Sequence, residues 1–169
     1  MRHLTKAALL PLVFATYGQV VAQPSDHQVS LPAESDLVVG HQAQQGRAIL
    51  VELVPSGETV QNFKRMVTLQ TLPEMGTVPE DKFLREFAER YSDACPNTNI
   101  TEVAMGSAGA SGVRLDCPTH PATGTTETVF ARALSLGRDL GLVQITMRYF
   151  PMPADGAWAR DYLGSVTVE

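Results

Sequence analysis

Thr126–Phe150 reads TETVFARALSLGRDLGLVQITMRYF. Two runs rich in Val, Ile, Leu, Phe and Thr flank the segment Gly137–Gly141. That order predicts a long β-hairpin, with strands over 126–136 and 142–150 joined across residues 137–141. Pro151 and Pro153 follow and end the sheet, because proline cannot donate to a ladder. Beyond them, Asp155–Leu163 predicts a short helix with Trp158 and Tyr162 four apart on one face.

Toward the N-terminus the same strand chemistry recurs in shorter pieces. Gly112–Cys117 and Ile100–Met105 predict two strands, with Gly106–Gly112 (GSAGASG) between them as a hairpin loop and Pro118–Gly124 as the loop that follows. The best helix lies before them. Thr77 and Glu80 have the spacing of a capping box, and Pro79 sits in the first turn. Phe83, Leu84, Phe87, Ala88 and Tyr91 then form one apolar stripe at helical spacing. Pro96 disfavours helical geometry at the residue before it, so the helix should stop near Cys95. Further back, Arg65–Leu72 and Arg47–Val54 predict two more strands, separated by a turn at Pro55-Ser56-Gly57 and a helical turn over 59–63. Arg47 is the first residue of the first folded element on this reading. Strands, a helix, a meander and a final helix predict the α+β class: an antiparallel sheet with helices packed on one face, in a single domain over 37–169.

The 169-residue chain is 44% hydrophobic and 18% charged, with a formal net charge of -5. That composition fits a globular chain and lacks a basic nucleic-acid footprint, so DNA and RNA are not expected partners. The first 22 residues have the three parts of a secretory signal: Arg2 and Lys6, the apolar run Ala7–Ala15, and small residues ending at Ala22. Cleavage there would lower the basic count from 13 to 11 against 18 acids, a net charge of about -7. The apolar run is too short for a membrane-spanning helix and no second one follows, so no integral membrane segment is expected after cleavage. Residues 23–36 carry Pro24, Ser25, Pro32 and Ser35 and read as a flexible leader.

Cys95 and Cys117 are the two cysteines of the chain. In an exported protein they are expected to pair, closing a loop worth about 3 kcal/mol by chain entropy. A zinc site would need more ligands than Cys117 and His120 supply, and no metal or cofactor is expected.

Alternation sorts strand residues onto two faces. Ile49, Val51, Leu53, Val67, Leu69, Val113, Leu115, Val143, Ile145 and Met147 fall on the side the helices are expected to cover. Glu52, Thr68, Gln70, Arg114, Asp116, Arg132, Gln144, Thr146 and Arg148 fall on the other. The plainest reading of the second face is a solvated one. The sharper reading is a platform for an anionic or peptide-like ligand, with Arg114, Arg132 and Arg148 as its cations and Glu52 and Gln70 beside them. Ser56, Asp116 and His120 can be drawn as a hydrolase set, but no G-x-S-x-G elbow surrounds a serine. Asn99-Ile100-Thr101 is a glycosylation sequon, relevant in a eukaryotic secretory pathway.

The segment Pro55–Gln70, PSGETVQNFKRMVTLQ, is similar to a motif of uncharacterised exported bacterial proteins, with Phe63 where Trp is common. The element order resembles the Mog1/PsbP-like fold. That resemblance implies an antiparallel sheet carrying helices and a binding or accessory role, and it carries over no functional residue. Three functions are therefore expected in order: a non-catalytic binding or accessory protein of the periplasm or cell exterior, with an envelope protein or small ligand as partner; a small exported hydrolase using the polar sheet face; and an interaction or inhibitor module using loops such as Gly106–Gly112.

Overall fold

The hairpin expected over residues 126–150 lies at the centre of the fold. In a computed structural model, which describes residues 27–169, β7 (Glu127–Leu136) and β8 (Asp139–Met147) pair antiparallel with Leu136 opposite Asp139. The loop is therefore two residues, Gly137 and Arg138, not the five-residue segment expected. Gly137 has φ +71° at the first central position, the conformation that a tight type II′ hairpin requires and that glycine adopts without strain.

The remaining strands build outward from that pair. They are β2 (Leu37–Gln45), β3 (Ala48–Pro55), β4 (Arg65–Leu72), β5 (Asn99–Met105) and β6 (Ala110–Cys117). All neighbours in the seven-stranded sheet are antiparallel, in the order β2-β3-β4-β8-β7-β6-β5. β1 (Val29–Ser30) pairs with β9 (Thr167–Val168) as a separate two-stranded ribbon. The expected signal peptide, 1–22, and residues 23–26 lie outside the described residues. Of the stretch read as a leader, residues 27–36 carry β1, and Glu34 accepts a hydrogen bond from the Trp158 indole at 3.1 Å. Sequence reading also missed β2, whose GHQAQQ run lacks the β-branched signal.

Among the described residues two helices complete the layers: α1 (Glu80–Ala94) and α2 (Pro153–Gly164). The antiparallel α+β class holds, but the two helices lie on opposite faces rather than on one. Leu84 and Ala88 of α1 pack with Val113, Leu115, Val129, Ala131, Leu140 and Leu142. Tyr162 and Leu163 of α2 pack with Val67, Phe130, Val143, Ile145 and Met147 on the other side. The cause is visible in β7 and β8. Their residues are buried almost without alternation, as strands covered on both faces must be. Burying a side chain such as Phe130, which is fully enclosed, contributes about 2–3 kcal/mol.

The apolar stripe of α1 faces the sheet as its spacing predicts, but the capping box does not form. Pro79 occupies the N-cap position and no side chain caps the helix. Thr77 is thereby left two residues outside. Glu80 instead reaches across to β7, where its Oε1 accepts from the Ser135 amide at 2.7 Å. Residues 59–63 form a turn rather than a helix: the Asn62 amide donates to both the Thr59 carbonyl and its hydroxyl. At the far end of α1, Cys95 and Cys117 form a disulfide with a Cα–Cα distance of 6.1 Å. It ties the helix C-cap to the end of β6, as expected.

One rim of the sheet is held by charge. Asp139, fully buried, accepts from Arg47 Nε at 3.1 Å and from the Glu74 amide at 3.0 Å. The Glu74 carboxylate in turn receives Arg47 and Arg138. Arg47 and Arg138 each follow a glycine in a two-residue hairpin turn, so β2–β3 and β7–β8 are latched to the β4–α1 connection. Close backbone approach is part of the latch. The Gly76 amide donates to the Arg138 carbonyl, and a Cβ on Gly76 would stand 2.0 Å from the Gly137 oxygen.

The hydrogen bond from Arg47, and next that from Arg138, hold the Glu74 carboxyl below the usual carboxylate range. Its contribution to stability is thus present above the ordinary carboxylate pKa and is lost as pH falls through the depressed one. Urea unfolding across an acid pH series should show a shallower decline in Glu74→Gln than in the wild type.

Candidate functional site

The five binding residues proposed from the sequence do not share a face. Register carries parity across the sheet: Leu53, Val67, Ile145, Phe130 and Arg114 stand in one row, and Glu52, Thr68, Gln144, Ala131 and Val113 in the next. Arg114, Asp116 and Arg132 therefore belong to the α2 side. Glu52, Gln70 and Arg148 belong to the α1 side, and so do Val113 and Leu115. The three arginines are not one platform.

Each arginine has a structural partner. Arg132 Nη1 donates to the carbonyls of Leu163 at 2.7 Å and Val166 at 3.1 Å, satisfying the C-terminal end of α2. Burial pushes its pKa down, yet an arginine so placed stays charged. Arg132→Met should lower stability by about 2–3 kcal/mol, because charged hydrogen bonds to orphan carbonyls are lost, and Arg132→Lys by less. Urea denaturation checks both. Arg114 donates through Nε and Nη2 to Asp116 Oδ1, which also accepts from the Thr128 hydroxyl. Arg148 stacks over the Phe63 ring at 3.8 Å and donates to the Gln61 carbonyl.

The drawn hydrolase set is not assembled either. Ser56 follows β3, whereas Asp116 lies on β6, four strand spacings or roughly 19 Å away across the sheet. Asp116 is engaged by Arg114, and His120 Nδ1 accepts from the Ala122 amide in its own loop. On the uncovered half of the α1 side, His41, Glu52, Thr68 and Gln144 stand directly opposite one another on four adjacent strands. Along this row exposure falls from His41, which is exposed, through half-buried Glu52 and Gln144 to buried Thr68. Among the described residues no group of three His, Cys, Asp or Glu is arranged to hold a metal.

A shallow concavity of about 570 Å³ lies over β2, β3 and β4, and a more enclosed one lies elsewhere. A groove of about 470 Å³ runs between α1 and the outer strands β5 and β6. Leu84, Ala88 and the Asp81–Arg85 pair form its wall. Ile100, Glu102, Ala104 and Val113 line its floor, with Gly109 and Ser111 at one end. The wall exists because α1 packs over β6 and β7 and leaves β5 uncovered. Arg85 donates to Asp81 Oδ2 at 2.7 Å and holds that carboxyl below its usual range. Glu102 is exposed and has no ion-pair or hydrogen-bond partner among the described residues.

The groove opens onto a free sheet edge. Among the described residues β5 pairs only with β6, over seven residues without a register break, proline or lysine. Alternate backbone N–H and C=O groups of such a strand point outward unpaired. The other edge, β2, is interrupted by a bulge between Val39 and His41, a device that spoils an edge as a template. Sequence reading found β5 and the Gly106 loop but could not see that β5 ends the sheet. Only the strand order reveals this.

No protein-family model matches the chain, and no curated protein matches it in sequence. Among the described residues no helix is long and apolar enough to cross a membrane. With the disulfide, this is compatible with an exported protein.

Proposed function

We propose that this is an exported, non-catalytic binding protein that captures an extended segment of a partner protein by strand addition at β5. The observation carrying this reading is the coincidence of a seven-residue edge free of bulge and proline with a partly apolar groove on the same strand. Main-chain hydrogen bonds to an exposed edge supply affinity in this mode, and pockets for alternate side chains supply selectivity. The export signal expected over residues 1–22 and the disulfide support a partner in the periplasm or outside the cell, and the likenesses of the Pro55–Gln70 motif to exported bacterial proteins and of the element order to the Mog1/PsbP-like fold belong to the same proposal. The hydrolase alternative has less support, because Glu52, Asp116 and the arginines do not converge.

The test is selection of linear peptides from a displayed random library, followed by amide hydrogen exchange of the protein with a selected peptide. Outward-facing amides of β5 should gain protection, and β2 amides should not. Protection confined to the Phe150–Met152 loop or to the His41–Gln144 row would overturn the proposal.

A further inference from the structure

We infer that the segment captured at β5 carries a lysine or arginine among apolar residues, read by Glu102; this rests on the strand-addition reading. A strand laid along β5 places alternate side chains on the α1 side, beside Ile100, Glu102 and Ala104. Side chains directly opposite across two antiparallel strands lie about 4.5–5.5 Å apart at Cβ, so each meets one of those three. Ile100 is 44% exposed, and Ala104 is small, and Leu84, Ala88 and Val113 lie behind them. Apolar side chains fit those places.

The position facing Glu102 is different. The Asp81 and Arg85 charges in the wall neutralise one another, which leaves Glu102, among the described residues, as the one uncompensated charge lining the groove. A cation opposite it is favoured and a carboxylate disfavoured by like-charge repulsion. The same charge argues against a second copy as occupant. Antiparallel self-pairing of β5 about its middle brings Glu102 near its own counterpart, between chains that each carry a net charge of -5, about -7 after the expected cleavage. The edge is thus closed to itself and open to a basic strand.

The experiment uses fluorescein-labelled seven-residue peptides of alternating valine and threonine, with one valine replaced by lysine or by glutamate, titrated against the full protein by anisotropy. At low ionic strength the lysine peptide should bind about five-fold tighter than the glutamate peptide. Glu102→Lys, an exposed change that leaves the core alone, should reverse that order, and added salt should narrow the gap in both proteins. Equal binding of the two peptides by wild type, or an order unchanged in Glu102→Lys, would overturn the charge assignment while strand capture stands. Binding of neither peptide would overturn both.

Discussion

Replacing Asp139 with alanine lowers the free energy of unfolding by about 3 kcal/mol. The carboxylate is fully enclosed and is the common acceptor for Arg47 and the Glu74 amide. Its removal leaves one charged and one backbone donor unsatisfied at the junction of three turns. The Arg47 side chain is 19% exposed and recovers some hydration, which keeps the loss at the lower end for a broken buried pair. Asp139→Asn retains the shape and one acceptor and should fall between. Equilibrium urea unfolding measures both, and a loss below about 1 kcal/mol for alanine would mean that water replaces the carboxylate without strain.

The double variant Cys95→Ala/Cys117→Ala should lose about 3 kcal/mol, from restoring freedom to a loop with a sequence separation of 22 in the unfolded chain. Both residues are fully buried, so small cavities add to the loss. The sheet keeps its hydrogen bonds, and the change should concentrate at the end of α1. Amide exchange from Tyr91 to Cys95 should accelerate first, although the Tyr91 hydroxyl still donates to Glu127 at 2.8 Å. Uniform acceleration across β7 and β8 instead would show that the bridge supports the whole sheet rather than the helix terminus. Because α1 is the wall of the groove, peptide affinity at β5 should weaken in this variant as well.

Much of the fold is legible in the sequence, and the reasons for the remainder are specific. α1 announces itself through Phe83, Leu84, Phe87, Ala88 and Tyr91, since one covered face leaves one apolar stripe. The strands from Arg65 to Met147 are each readable as β by composition. Their order is not, because pairing depends on contacts far apart in the chain. That ignorance is what misplaces Arg114 and Arg132: parity within a strand is fixed by the sequence, but parity between strands is fixed by register. β7 and β8 could not supply it, because burial on both sides erases alternation. Asp139 was hidden for a local reason. Gly137-Arg138-Asp139 looks like a polar loop, yet its aspartate is already the first residue of β8. The signal available was the recurrence of Gly-Arg, at Gly46-Arg47 and Gly137-Arg138, each between strand-like runs. The candidate groove was illegible because an edge is a property of the assembled sheet.

The two ends of the sheet are secured by different chemistry. At the Gly-Arg turns the fastening is ionic, and protons loosen it. At the opposite end, where α1 meets β6, it is covalent, and thiols loosen it. Acidification and reduction should therefore open the molecule from opposite sides, and the groove, which runs between them, would yield to either.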